Sequence, residues 1–411
     1  MQHNFSPSQQ VAYDAAQKGK NIFITGSGGN GKSYLTKALT THSTLVCAPT
    51  GIAALNVKGV TCHRAFGLPM GLPEAKDYNI IGRKQRDVLC RVDRIIISEV
   101  GMLRTDQLEL IDRKLKLARG NNKPFGGVQM IVEGDFFQLE PIVGRSEQDL
   151  FYSKYTSPYC FSSKVWNFET YHLTEPQRHP KPDQYNLLNR MRVGDQDALD
   201  ELLEATGEYT LSENLLHLCC YNDDAAKVNK YWYDKNTNRE RTYIAHSVGK
   251  ISEKDVIVPE TLRLKVGVKV LVCANDLNGT YVNGDSGVVT DMNNSCITVK
   301  LDSGSTVFVE EFTWEAYDYT KIGNDIKKEV IGSFTQFPLT LGYAISIHKS
   351  QGTTLDQVAI HLGRGCFSAG QLYVAVSRIR DLDNLTFLRK EQVTKDNLIT
   401  NEGVKQFYGI G

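Results

Sequence analysis

A chain of 411 residues, 41% hydrophobic and 23% charged, exceeds a single small module and has room for two or three domains of roughly 150 residues each. Lysine plus arginine and aspartate plus glutamate both number 47, which excludes a generally basic surface but not a local basic groove. No apolar run approaches the roughly 20 residues of a membrane-spanning helix, and Met1 to Asn4 lacks the charged and apolar regions of a secretory signal, so no membrane partner is expected. The nine cysteines show no CxxC pair and no zinc-finger spacing, which points to free thiols in a reducing compartment. That compartment is expected to be the cytoplasm, or the nucleus or mitochondrion if the chain is the core of a longer eukaryotic protein.

In chain order, the first expected strand is Asn21 to Thr25, which runs into GSGGNGKS at Gly26 to Ser33 and then a helix over Tyr34 to Leu39. This matches GxxxxGK[ST] in the strand–loop–helix context of a phosphate-binding loop. Gly26, Ser27, Gly28, Gly29, Asn30 and Gly31 form the cradle, whose glycines let backbone N–H groups turn inward on a triphosphate. The helix N-terminus adds the positive end of its dipole and Lys32 a point charge. Ser33 is expected to ligate Mg²⁺, with ATP the nucleotide.

Ser43 to Ala48, Arg94 to Ile97 and Val128 to Val132 read as further buried parallel strands, with a helical stretch over Arg104 to Arg119. Strands alternating with helices predict a doubly wound α/β sheet that binds ligands beyond its carboxyl edge. At that edge stand Thr25-Gly26, Pro49-Thr50, Ser98-Glu99 and Gly134-Asp135. A P-loop NTPase normally ends its third such strand in an Asp for the metal and a Glu for the attacking water. Glu99 suits the second role; Ser98 is neutral and leaves Mg²⁺ one negative charge short. Asp93 lies at the opposite end of that strand and cannot replace it. Gly67 to Arg86, with two prolines and three glycines, reads as a loop-rich insertion.

Beyond Pro176, the stretches Leu215 to Cys220, Val358 to Leu362 and Leu385 to Leu388 read as buried strands of a second α/β unit. Between them, short alternating strands separated by Gly, Asn and Asp turns predict a small inserted antiparallel barrel. The expected division is 1–175 for the first unit, 176–244 with 339–411 for the second, and 245–338 for the barrel.

Further segments recur in a fixed order: FSPSQQ (Phe5 to Gln10), APTGIAAL (Ala48 to Leu55), TCHRAF (Thr61 to Phe66), EGDFFQLEP (Glu133 to Pro141), LTEPQR (Leu173 to Arg178), LNRMRVG (Leu188 to Gly194), SIHKSQGTTLD (Ser346 to Asp356) and GQLYVAVSR (Gly370 to Arg378). This set resembles that of superfamily 1 helicases, and is most similar to the PIF family of 5′-to-3′ DNA helicases, with RecD and Dda more distant. The resemblance runs from about residue 5 to 388. It implies two RecA-like P-loop domains and an ATP-dependent motor that moves 5′ to 3′ on single-stranded DNA and opens forked or structured DNA, with a monomer as the expected motor and a single-strand-binding protein as an expected partner.

Carried over by position, the resemblance implies that Gln9 reads the adenine edge, Gln138 senses the γ-phosphate and Gly352 approaches it. Arg178 and Arg378 would be charge-stabilising fingers. Pro49, Thr50, Gly51, His63, Phe66, His348 and Lys349 would line the strand track, with Phe66 able to stack a base. Gly67 to Arg86 falls where the family has its wedge, and the inserted barrel where it has a strand-holding accessory domain. The chain departs from the family at Ser98, where Asp is expected, and at Glu140, where a second proline is usual. Ser98 raises an alternative reading, a remodeller or clamp that binds ATP and DNA with weak hydrolysis.

Overall fold

Ile22, Phe23 and Ile24 are fully buried on both faces, the environment of a central parallel strand. Around this strand the computed structural model, which describes residues 4–176, 181–251, 255–276 and 278–410, builds the first of two units. Unit 1 comprises Met1–Arg178, Glu315–Gly332 and Asn401–Gly411; unit 2 comprises His179–Trp314 and Ser333–Thr400.

Unit 1 runs α1 (Pro7–Gln17), β1 (Ile22–Thr25), α2 (Lys32–Ala38), β2 (Thr44–Ala48), α3 (Gly51–Asn56), β3 (Val60–Thr61), α4 (Cys62–Phe66), α5 (Arg83–Leu89), β4 (Arg94–Ile97), α6 (Thr105–Arg119), β5 (Gln129–Glu133), α7 (Gln148–Tyr152) and β6 (Glu169–His172). Its six strands form a parallel sheet of order β3-β2-β4-β5-β1-β6. Ala12, Ala16, Leu35 and Leu39 from α1 and the α2 segment pack on Ile22, Ile24, Ile96 and Ile131 of the sheet. The segment from Gly67 to Gly82 forms no helix or strand. It is tied to α6 and the residue before it, because Arg104, Arg113 and Lys114 donate to the carbonyls of Gly71, Tyr78 and Ile80.

Unit 2 contains α8 (Pro182–Arg192), α9 (Gln196–Ala205), β7 (Gly207–Tyr209), β8 (Leu216–Cys219), α10 (Asn222–Lys235), β9 (Glu240–Ile244), β10 (His246–Gly249), β11 (Thr261–Lys265), β12 (Lys269–Val272), β13 (Ser286–Met292), β14 (Ile297–Leu301) and β15 (Thr306–Val309). The long strands β16 (Phe312–Ile322) and β17 (Asp325–Gln336) follow, then β18 (Leu339–Leu341), β19 (Ala344–Ser346), β20 (Val358–His361), α11 (Gln371–Val376) and β21 (Leu385–Leu388); the last helix, α12 (Glu402–Phe407), belongs to unit 1. A second parallel sheet has order β19-β8-β20-β21-β7. The insertion is antiparallel, divided between a five-stranded sheet, β15-β14-β13-β12-β18, and the pair β11-β9. Leu262, Val270, Val289, Val299 and Phe337 share its core. No helix among the described residues is long and apolar enough to cross a membrane.

Two segments group differently from the expected division. Residues 315–332, the outer part of the β16–β17 ribbon, belong to unit 1, where the Tyr319 hydroxyl accepts from Val46 N at 3.1 Å. Residues 401–411 also belong to unit 1 rather than to the second α/β unit. Aromatic packing is the reason: Phe407 stacks on Phe161 with centroids 4.4 Å apart and meets Phe136 edge-on at 5.4 Å.

Candidate active site

The loop after β1 begins at Gly26 with φ +148°, and a Cβ there would lie 2.5 Å from the Leu173 carbonyl oxygen. Only glycine accommodates both demands. Asn30 locks the loop from within, its Nδ2 donating to Leu173 O at 2.5 Å. Gly31 follows in the left-handed region at φ +77°, turning the chain into α2, which opens with Lys32 and Ser33. Lys32 Nζ donates to Gly26 O at 2.8 Å and Ser27 O at 3.2 Å, so the ammonium lies across the mouth of the loop.

Gln9 is 3% exposed and spans two elements. Its Oε1 accepts from Ser6 N at 3.0 Å, completing the capping box of α1, while Nε2 points to Asn30 O and Gly31 O at 3.5 and 3.4 Å. A cavity of about 510 Å³ lined by Asn4, Phe5, Ser6, Gln9, Gly31 and Tyr34 opens beside it. The expected adenine residue thus lines a cavity of base-accommodating size at the edge of the phosphate loop. Glu175 anchors the same end of α1 by accepting from the Ser6 hydroxyl at 2.9 Å and from that of Ser8. Burial pushes its carboxyl upward, but the hydroxyl and backbone donors outweigh that and hold it down at about 2.

Strand β4 leads into Ser98, and Glu99 then takes a left-handed conformation at φ +53°, uncommon for a residue with a Cβ. Gly134 lets the two neighbouring strand exits cross closely, since a Cβ there would sit 3.0 Å from Val100 N. The buried Ser98 hydroxyl donates to Glu133, the last residue of β5. Glu133 is 2% exposed. Its carboxyl is pushed up to about 7, chiefly by burial and then by the charge of Glu99, against the opposing pull of Lys32, Ser98 and the Glu99 backbone.

Glu133 carries no local sequence signal that marks it as a site residue, although it lies inside the segment Glu133 to Pro141. Ser33 opens α2 and Ser98 follows β4 with a buried carboxyl behind it; both side chains offer hydroxyl oxygens, hard donors of the kind that suits Mg²⁺. Gln138 lies on the turn after β5, 7% exposed, its N–H bonded to Asp135 O at 3.1 Å.

Of the expected strand-track residues in unit 1, Pro49, Thr50 and Gly51 stand at the carboxyl end of β2, where Thr50 caps α3. Its Oγ1 accepts from Ala53 N at 3.2 Å, which does not consume the hydroxyl hydrogen. His63 is held below its usual pKa by burial and then by the Arg104 charge, which favours its neutral form. Phe66 corrects the expectation: it is 0% exposed and presents no ring face to a base. It lies on the inward side of the short helix α4, beside buried Cys62 and Ala65.

Gly352, Arg378, His348 and Lys349 belong to unit 2. Arg378 is 3% exposed, with Nε donating to Val374 O at 3.0 Å and NH2 to the Ser377 hydroxyl at 3.1 Å. Gly352 is exposed at φ +82°. His348 stacks on Phe367 with centroids 5.8 Å apart and planes 10° apart, and burial lowers its pKa. Lys349 next to it is exposed. Arg178 lies outside the described residues.

The sequence model of the PIF1-like helicase family matches residues 4–197. The ATP-dependent DNA helicase PIF1 of Xenopus laevis is 32% identical to this chain, across 93% of it and 61% of the relative, so the chain spans about three fifths of that protein's length. Pif1 from Bacteroides sp in complex with ADP-AlF4 is similar in structure with a TM-score of 0.90 at 34% identity, over 99% of this chain and 97% of that one. Bacteroides Pif1 bound to ssDNA has a TM-score of 0.69 at 35% identity, again over 99% and 97%.

Proposed function

The chain belongs to the PIF1-like helicase family, and from that premise we propose that it is an ATP- and Mg²⁺-dependent DNA helicase moving 5′ to 3′ on single-stranded DNA. The observation that carries the reading is the joint presence in unit 1 of Lys32 across the loop mouth, Glu99 at the neighbouring strand end and Gln9 at the cavity beside the loop. Mg²⁺, when bound, neutralises charge on the triphosphate, with Ser33 and Ser98 as the hydroxyls that would hold it. Lys32 binds the β and γ groups, Glu99 orients and deprotonates the attacking water, and Gln138 senses the γ-phosphate.

In this reading Arg178, Arg378 and Gly352 are the residues that the family's motif positions assign to the γ-phosphate. Positioned cations of this kind contribute roughly 10³ to 10⁵ in rate. A ligand shifts a conformational equilibrium only by its differential affinity for the two states, and these γ-phosphate contacts are the source of that difference. Pro49, Thr50, Gly51, His63, His348 and Lys349 carry the strand by hydrogen bonding, charge and stacking. The segment 67–86 acts at the fork and the antiparallel insertion helps hold the strand. One chain contains every proposed part, so a monomer suffices as the motor, with a single-strand-binding protein as its companion in the cytoplasm.

The clamp suggested by neutral Ser98 is the second reading, and the carboxylate of Glu133 hydrogen-bonded to Ser98 favours the motor over it. Steady-state ATP hydrolysis measured with and without single-stranded DNA tests the proposal. Stimulation of at least about tenfold is expected, with Lys32→Ala abolishing turnover while retaining DNA binding. Turnover indifferent to DNA, or undiminished in Lys32→Ala, refutes the reading.

A further inference from the structure

Strands β4 and β5 run parallel with Ile97 beside Val132, so the next residues, Ser98 and Glu133, leave the sheet together at its carboxyl edge. On the other side of β5, Ile24 lies beside Glu133, one residue before Thr25 and the phosphate loop. The strand between the loop strand and the Ser98 strand therefore ends in a carboxylate. Met130, Ile131 and Val132 before it are fully buried and apolar, and packing alone gives no reason for an acid to continue that row. Glu133 receives the Ser98 hydroxyl, while the charges of Lys32 and Glu99 both act on it.

We propose that Glu133 supplies the negative charge that the metal site lacks at Ser98, so that the site's carboxylate stands one strand inward and works through the serine. The Ser98 O–H is spent on Glu133, which fixes the hydroxyl's rotamer and leaves its oxygen lone pairs to serve Mg²⁺ or a water on it. Glu133 is thus a metal-positioning residue. The inference rests on reading the loop as a Mg²⁺–nucleotide site.

The test is binding of a fluorescent, non-hydrolysable ATP analogue to the full chain with and without MgCl₂, with Mn²⁺ electron paramagnetic resonance on the same complexes. Glu133→Gln is expected to lose about tenfold or more of the metal-dependent gain in affinity, the range for outer-sphere residues, with metal-free affinity unchanged. Adding Ser98→Asp to Glu133→Gln restores the gain, whereas Ser98→Asp alone gives none, because two adjacent carboxylates then compete. Ser98→Ala, which keeps the acid and removes the relay, is expected to match Glu133→Gln and decides the matter if Glu133→Gln fails to fold. An unchanged Mg²⁺ response in Glu133→Gln or Ser98→Ala, or no rescue by Ser98→Asp, overturns the proposal while leaving the nucleotide site intact. A wild-type chain whose analogue binding is insensitive to both MgCl₂ and Lys32→Ala removes the site itself, and the proposal with it.

Discussion

Gly26 carries two demands that can be separated by experiment. Its φ of +148° is one, and the 2.5 Å approach of Leu173 O to the Cβ position is the other. Gly120, at φ +63° with nothing within 4 Å of its Cβ position, carries only a conformational demand. Gly120→Ala is therefore expected to cost about 1 kcal/mol, the ordinary left-handed penalty. Gly26→Ala must also displace the β6 exit, and should cost about 2–4 kcal/mol while weakening nucleotide binding at least about tenfold. Urea unfolding beside an analogue titration checks both; equal costs at the two positions would mean that the contact with Leu173 is unimportant. Legibility at this scale follows distance along the chain. Gly26 to Ser33 is a local pattern and could be read directly. Glu133 could not, because it stands beside Ser98 only through a neighbouring strand whose register the folded sheet alone supplies. Phe66 fails for the converse reason: which side of a one-turn helix faces the core is decided by tertiary packing.

Elements were legible in proportion to their apolar density. β1, β2, β4 and β5 are uniformly buried or nearly so, and each stood out as a short apolar run. α12 did not, since six residues with a single fully apolar buried position, Val404, carry little periodic signal. Its place is set by Phe407 and Tyr408. Tyr408 stacks on Phe137 at 5.1 Å, shares a 2.8 Å hydrogen bond with the Thr25 hydroxyl and accepts from Phe136 N at 3.4 Å. The last helix thus braces both the strand that leads into the phosphate loop and the turn that carries Gln138. Phe407→Ala is expected to destabilise unit 1 by about 2–4 kcal/mol, below the cost at a fully buried aromatic. Tyr408→Phe, which keeps the ring and removes the hydroxyl bonds, should cost nearer 1 kcal/mol and chiefly weaken nucleotide binding. Denaturant midpoints for the two variants check the order, and a larger cost for Tyr408→Phe would place the bracing in the hydroxyl.

For the whole molecule, 47 basic and 47 acidic side chains leave no net charge to draw a polyanion from a distance. Strand binding must come from short-range contacts, and its salt dependence should say so. Each single-stranded phosphate neutralised contributes about −0.7 to the slope of log affinity against log salt. Among the residues proposed for the track, Lys349 alone is a lysine or arginine, exposed beside the His348–Phe367 stack. His63 and His348 are both held below their usual pKa by burial, so at neutral pH they hydrogen-bond without releasing counterions. The slope is therefore expected to be about −0.7, and Lys349→Ala should bring it close to zero. Phe367→Ala should instead lower affinity by about 1–3 kcal/mol if a base joins that stack, with the slope unchanged. Fluorescence anisotropy with labelled oligonucleotides across a salt series separates the two effects. A slope steeper than about −2 would require a basic groove that the proposed track does not contain, and the strand's path would then lie elsewhere on the chain.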